Sequence, residues 1–367
     1  MPFKLFTLDN YTGALHTGDV PVEVFRAIIQ YCTAISLCRL SQANRTAWIL
    51  VNSEFLSRQK DLISAYVPPS LINDCLTLFR HHNVVISGSS ALQFLDPCFI
   101  ANDLDLCVSS TEMDSSHYSA LLQFLVSIGY SVSDGGGSVV QRDEGNMINT
   151  VLRHSIDNRK IDIIISPSDS PCYPIFYFHS TLVMNYITAD GFYCAYPLLL
   201  DNRLFYPNFC SSYALSWTNN VQDCFDKYEK RGFRIIDYGT NLDVLGNHRC
   251  LSSGTCPFTT RSCIDTRGCA RVFSSRCTCS DTMRLLKSVG GPTICWRVGG
   301  TCIFDVNGII YDQYISSRDM KYISRPLCKV FLLIHYLRIK FYHLQVITSN
   351  AINDKFYDLL WTFRMCS

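Results

Sequence analysis

The chain has 367 residues, of which 17% are charged, 48% hydrophobic and 13% aromatic. That composition excludes wholesale disorder, which needs little apolar surface and much charge. Thirty-two Lys and Arg against 31 Asp and Glu leave a formal charge of +1, which excludes a binder driven by overall charge. Any contact with nucleic acid must come from a local patch.

The length suits about two to three domains of ~100–200 residues each. Asp9 and Asn10 interrupt any apolar leader, so a soluble intracellular protein with no membrane partner is expected. The most apolar long stretch, 328–347, holds Lys329, His335, Arg338, Lys340 and His343. It is read as a core helix with a charged face, because a membrane span needs ~20 mainly apolar residues.

Taken in order, residues 19–65 carry helical periodicity. Val24, Phe25, Ile28 and Ile29 form one apolar face, 33–36 break it, and Leu37, Leu40, Ala43 and Trp48 begin a second run. Pro68 and Pro69 mark a linker. From 70 to 200, strand and helix patterns alternate: strand 83–87 stopped by Gly88, helix from Ala91, strand 103–108, helix 117–128, a turn at Gly135, Gly136 and Gly137, then strands 148–152 and 161–165. Such alternation predicts an α+β or α/β core on a mixed sheet. A helix is expected over 217–232, with Val221, Phe225 and Tyr228 on one side and Gly232 closing it. Residues 246–312 read as irregular and mainly β, and a last helix follows Pro326 to about Leu344.

The stretch 86–108 is the most informative. A strand ends in Gly88-Ser89, a helix starts, and a second strand carries Asp103 and Asp105. Residues i and i+2 of a strand face the same side, so the two carboxylates point together. They repel unless a cation sits between them, and hard divalent ions with oxygen ligands supply one. A Gly-Ser turn at a helix N-terminus suits phosphate, with free N–H groups, no Cβ on glycine and a hydroxyl donor. Asp162 then stands alone in the apolar run 161–165, where an acid is costly unless satisfied. Three converging acids would suffice for a two-metal site. The competing reading has Asp103 and Asp105 solvated on a sheet edge and Asp162 paired to an arginine such as Arg153.

This ordered set resembles the nucleotidyltransferase superfamily of DNA polymerase beta, poly(A) polymerases and antibiotic nucleotidyltransferases. Gly88-Ser89 and Asp103-x-Asp105 match its signature with thirteen residues between them, slightly long, and Asp162 matches the later single acid. The resemblance covers about 80–170. It implies Mg²⁺- or Mn²⁺-dependent transfer of a nucleoside monophosphate from an NTP to an acceptor, a nucleic acid included. Asp103, Asp105 and Asp162 would be the catalytic and metal-holding residues, with Asp162 assisting the acceptor hydroxyl. Gly88 and Ser89 would cradle the triphosphate. The segment 178–188 resembles a stretch found in fungal proteins of this fold, and His179 within it is either a substrate donor or a satisfied core residue.

Residues 20–47 resemble a degenerate F-box, with Val20 in place of the opening Leu and Asn44 before Arg45. That implies docking to the adaptor subunit of an SCF-type ubiquitin ligase; a helical cap on the following domain explains the same pattern. Of 19 cysteines, eight fall between 250 and 302 without the paired Cys-x2–4-Cys knuckles of structural zinc sites. Most are expected to be reduced thiols, zinc being the alternative through Cys277, Cys279, His248 and Cys250. The remaining eleven, Cys38, Cys107 and Cys194 among them, read as small buried apolar residues. Arg249, Arg261, Arg267, Arg271 and Arg276 make that region locally basic.

The expected architecture is therefore α+β: an F-box-like helical segment (19–65), a mixed-sheet nucleotidyltransferase-like core (70–200), a helical connector (201–245), and a Cys-rich, β-containing subdomain with a final helix (246–367). The alternative function is non-enzymatic, with a retired nucleotidyltransferase fold serving substrate recognition in ubiquitin ligation.

Overall fold

The computed structural model describes residues 3–8, 15–109, 116–140, 147–157, 159–208, 219–236, 259, 261–264, 268–273, 279–290, 294–296, 298, 302–305 and 308–311. The helix expected after Pro326, and Cys250, Cys256 and Cys277, lie outside them.

An antiparallel hairpin of β1 (Phe3–Leu8) and β2 (Leu15–Val20) comes first. Three helices follow where two periodic runs were expected: α1 (Val22–Ile29), α2 (Ala34–Leu40) and α3 (Arg45–Ser64). Caps make the extra break. The Thr33 hydroxyl accepts from the Ser36 amide and the Asn44 side chain from the Ala47 amide, and such a polar side chain fixes a helix start by satisfying a free N–H. The apolar face of α1 is split. Phe25 and Ile29 are buried, whereas Val24 and Ile28 are each 49% exposed, because a helix lying on one surface buries one stripe only.

The chain continues through α4 (Ile72–His81), β3 (Val85–Ser87), α5 (Gly88–Leu95), β4 (Leu104–Ser109), α6 (Ser116–Ser127), β5 (Tyr130–Val140), β6 (Met147–His154) and β7 (Lys160–Ser166). Then come β8 (Asn185–Ile187), β9 (Gly191–Cys194), α7 (Pro197–Asp201), β10 (Leu204–Phe205), α8 (Asn219–Lys230) and β11 (Arg234–Ile235). The Cys-rich region contributes β12 (Arg261–Ser262), β13 (Cys269–Val272), α9 (Cys279–Ser288), β14 (Cys295–Trp296), β15 (Cys302–Asp305) and β16 (Gly308–Tyr311).

The class is α+β. An eight-stranded sheet runs in the order β13-β9-β8-β3-β4-β7-β6-β5. It is mixed: β4 and β7 are parallel, and the other neighbours are antiparallel. The expected glycine turn is not observed. Gly135, Gly136 and Gly137 do not form a turn between strands; β5 runs through them, with a register shift between Val132 and Gly137. Glycine inside a strand commonly marks such a bulge. Within 246–312 the described strands are joined by α9, which buries Leu285 and Leu286, and β13 pairs with β9 in the large sheet.

Both faces of the central strands are covered. Ile86, Leu106 and Ile163 belong to one core with Phe55 of α3, Phe94 of α5 and Phe192 of β9, the Phe55 ring lying 5.8 Å from Phe94 and 5.3 Å from Phe192. The alternate residues Val85 and Cys107 face a second core with Tyr186, Tyr193 and Trp296. Leu37 is fully buried in the first core and Leu40 packs against it. α2 and α3 therefore close over α5 and the sheet.

Candidate functional site

The site begins where β3 ends. Gly88 has φ +59°, a conformation glycine adopts at little cost. It also has no space for a side chain. A Cβ there would stand 2.0 Å from Asp105 Oδ2 and 2.8 Å from its Cγ. The thirteen-residue spacer, longer than the resemblance requires, folds into a pinned loop. Ser90 Oγ donates to the Asp103 carbonyl at 2.6 Å, Gln93 Oε1 accepts from the Ala101 amide at 2.8 Å, and Asp96 accepts from the Cys98 amide at 3.1 Å and pairs with Arg203 at 2.9 Å.

Strand pairing gathers the acids. β4 and β7 run parallel with Asp105 opposite Asp162, and Ser87 of β3 is opposite Asp105 on the other side. Asp105 and Asp162 thus share the sheet face whose next residues inward, Cys107 and Ile164, lie at the second core. Asp103, one residue before β4, joins them through its contacts with Ser89 and Lys160. Ser89 Oγ donates to Asp103 Oδ1 at 3.3 Å, so Gly88, Ser89 and the three acids form one corner.

Sequence reasoning overlooked a sixth member. Lys160 Nζ donates to Asp162 Oδ2 at 2.6 Å and to Asp103 Oδ2 at 3.3 Å. The signal was available: Lys160 precedes Asp162 by two strand positions, so it shares its face by the same rule that pairs Asp103 with Asp105. The partner suggested for Asp162, Arg153, acts on it only as a more distant charge.

The electrostatics are under-compensated. Three carboxylates face one ammonium. Desolvation first, then Asp103 and Asp162, push the Asp105 carboxyl up to about 7. Desolvation also raises Asp162, against the pull of Lys160. Burial works against the Lys160 charge, but its bonds to Asp162 and Asp103 outweigh it and hold its pKa above the ordinary value. Among the described residues, Asp162 Oδ1 is buried with no hydrogen-bond partner. Tyr66, raised to about 12 chiefly by desolvation, and Tyr228 of α8, raised by the same cause, both feel the Asp103 and Asp105 charges. His179 is bonded to Ser180 at 3.1 Å and lies 5.6 Å from the Phe225 ring, the environment of a packed residue.

The donor set fits a hard divalent cation in kind: oxygen ligands only, excess negative charge, and one orphaned buried oxygen. As disposed, it holds an ammonium. Lys160 lies between Asp103 and Asp162, and among the described residues no group of three or more His, Cys, Asp or Glu side chains is arranged to hold a metal ion.

No family model and no curated protein matches this chain. Among solved structures, it is similar to a CCA-adding enzyme determined in complex with CTP, at 14% identity and a TM-score of 0.31. The likeness covers 48% of this chain and 41% of that one, so the chain spans under half of that enzyme's length. At this level the likeness carries no argument, and the chemistry rests on the corner itself. No helix among the described residues is long and apolar enough to cross a membrane.

Proposed function

We propose that this chain is a nucleotidyltransferase-like protein that binds an NTP at the Gly88-Ser89 turn and transfers its nucleoside monophosphate to an acceptor hydroxyl. The observation that carries the reading is the register of Asp105 against Asp162 beside a glycine with no room for a Cβ. In this reading the first amides of α5 and the Ser89 hydroxyl donate to the triphosphate. The Ser89 amide at present donates to Asp105, so nucleotide entry exchanges that carboxylate for a phosphate oxygen. Asp103, Asp105 and Asp162 would hold Mg²⁺ or Mn²⁺, which when bound supplies charge stabilisation for phosphoryl transfer. Asp162, raised by burial, is suited to take the acceptor's proton. Lys160 neutralises part of the acid charge while no nucleotide is present.

The test is the thermal shift given by each NTP with Mg²⁺ or Mn²⁺, alongside incorporation of α-labelled NTP into candidate acceptors. A metal-dependent rise in melting temperature, lost in Asp103→Asn, is expected by mass action on the folded state. Incorporation should be lost in Asp162→Asn while nucleotide binding largely survives. No metal-dependent nucleotide shift in the wild-type chain would overturn the reading.

A second reading is favoured by a different observation. On α1 and just beyond it, Val24, Ile28 and Tyr31 form an outward stripe, exposed by 49%, 49% and 77%. Such a stripe suits a docking segment in a non-enzymatic recognition subunit, as the F-box resemblance of 20–47 implies. Leu37, buried in the core, takes no part in that surface. Capture of an SCF adaptor subunit by the full chain, lost in Ile28→Asp, with no NTP turnover, would favour this alternative.

A further inference from the structure

At the β13 edge of the large sheet, Cys269 and Arg271 are two strand positions apart and so face the same way. That way is toward the N-terminal helices. Cys269 Sγ lies 3.8 Å from Cys38 Sγ on α2, across 231 residues of sequence. Both are free thiols, each partly exposed. Arg271, only 9% exposed, donates through Nη1 to Ser41 Oγ at 2.7 Å. Ser41 in turn donates to the Cys38 carbonyl at 2.7 Å. The guanidinium lies 5.9 Å from the Trp48 ring and 5.7 Å from the Phe55 ring. Among the described residues, its Nε and Nη2 are buried with no hydrogen-bond partner.

A buried guanidinium with two idle N–H groups is costly and favours an anion beside it. The nearby carboxylate of Asp201 is already engaged, accepting from Arg39 at 2.5 Å and from Thr33 at 3.1 Å. Among the described residues, the Cys269 thiol shares this strand face with Arg271 and feels its charge. Its contact with Cys38 and the Arg271 charge hold it below the ordinary thiol value, while Cys38 is raised. A partly exposed thiol close to a positive charge, with a second thiol 3.8 Å away, is the arrangement of a redox-active cysteine.

We propose that Cys269 and Cys38 form a peroxide-responsive couple, in which Cys269 is oxidised first, Cys38 resolves it, and the resulting disulfide staples α2 to the sheet edge. Cys269 gives up its proton, its sulfur attacks a peroxide oxygen, the O–O bond breaks, and the leaving hydroxide takes up that proton as water. Cysteine is oxidised by two electrons to the sulfenic acid and hydrogen peroxide is reduced to water. Cys38 sulfur then attacks Cys269 sulfur, the S–O bond breaks, and the leaving hydroxide takes the Cys38 proton as a second water. The sulfurs need only close from 3.8 Å to about 2.05 Å.

The test uses the full-length, fully reduced chain, titrated with hydrogen peroxide and mapped by peptide mass spectrometry without reduction. The expected product has lost two hydrogens, carries the Cys38–Cys269 link, forms before the exposed thiol Cys98 is modified, and reverts with dithiothreitol. Cys38→Ser should leave Cys269 as a sulfenic acid that dimedone traps. Arg271→Met should slow the reaction severalfold and Arg271→Lys should restore most of it. Three results overturn the proposal: modification of Cys98 while the pair stays reduced, a link from Cys269 to its cross-strand neighbour Cys194 instead, or unchanged kinetics in a folded Arg271→Met. The wild-type map decides the first two without any variant.

Discussion

Two regions of this molecule bury charge, and they treat it in opposite ways. Where the N-terminal helices meet, Arg58 of α3 is 9% exposed and saturated. Its Nε donates to Glu54 at 2.7 Å, and Nη2 donates to the carbonyls of Ile29 and Cys32 at 2.9 Å each and of Gln30 at 3.2 Å. A cation here closes the C-terminal end of α1, where carbonyls lack helical partners. At the acid corner, among the described residues, three carboxylates share one ammonium and Asp162 Oδ1 has no partner. The first arrangement is complete within the chain, which is what a structural role requires. The second is incomplete, and groups left short of counter-charge on a sheet face are what the proposed ligand site would use.

The largest effect should come from breaking the complete region. Arg58→Met strips the end of α1 and leaves the Glu54 carboxylate half-buried and alone. We expect a loss of about 3–5 kcal/mol in denaturant unfolding, at any Mg²⁺ concentration. A loss under about 1 kcal/mol would mean that the seam is held by its apolar contacts alone.

Next in size is Gly88→Ala, which meets both a positive φ and the Asp105 carboxylate at 2.0 Å. A cost of about 2–3 kcal/mol is expected. Unlike Arg58→Met, it should also abolish any NTP-dependent thermal shift. If the Gly88→Ala protein is destabilised and still gains as much from NTP and Mg²⁺ as the wild type, the turn is not the phosphate cradle.

Much of this corner was legible because its signals are local. A strand period of two predicted that Asp103 and Asp105 point together, which holds although β4 begins at Leu104, and an acid in the apolar run 161–165 announced Asp162. What local pattern cannot supply is pairing. The parallel register of β4 with β7, which sets Asp105 opposite Asp162, joins segments more than fifty residues apart. The bulge at Gly135–Gly137 exists only because β6 is its partner, so the glycines alone read as a turn. α9 was hidden by the Cys-, Thr- and Gly-rich sequence around it, although Leu285 and Leu286 near its end are both buried. Cys38 read as a small core residue, since its neighbour Cys269 is 231 positions away.

A smaller effect sharpens the comparison by removing the one counter-charge at the corner. Lys160→Met leaves three facing carboxylates with no ammonium between Asp103 and Asp162. Without metal, stability should fall by about 1–2 kcal/mol, a modest amount because Lys160 is partly exposed. With Mg²⁺ the order should reverse, the variant gaining more in melting temperature than the wild type, since the ion no longer competes with a resident cation. Calorimetric titration with Mg²⁺ alone, and no nucleotide, separates the two. Equal or weaker Mg²⁺ binding by Lys160→Met would mean that the lysine is a fixed strut of the corner and not a placeholder.

The smallest effect is a slope in pH. Burial first, then the charges of Asp103 and Asp162, raise the Asp105 carboxyl from 3.8 to about 7. Between those values the folded chain holds a proton that the unfolded chain has released. Stability therefore carries the full Asp105 contribution below about pH 4 and loses it as pH rises toward 7. Asp105→Asn keeps the shape, cannot ionise, and should flatten that fall. At pH 8 without metal the variant should be the more stable by about 1 kcal/mol, a discounted figure because the carboxyl is partly exposed. Saturating Mg²⁺ should then favour the wild type, because the ionised carboxylate is the form an ion binds. The measurement is a set of urea unfolding curves from pH 4 to 8 for both proteins, with and without Mg²⁺. Parallel curves would show that Asp105 is already ionised and satisfied at neutral pH, and the corner would then belong with the Arg58 seam as finished structure.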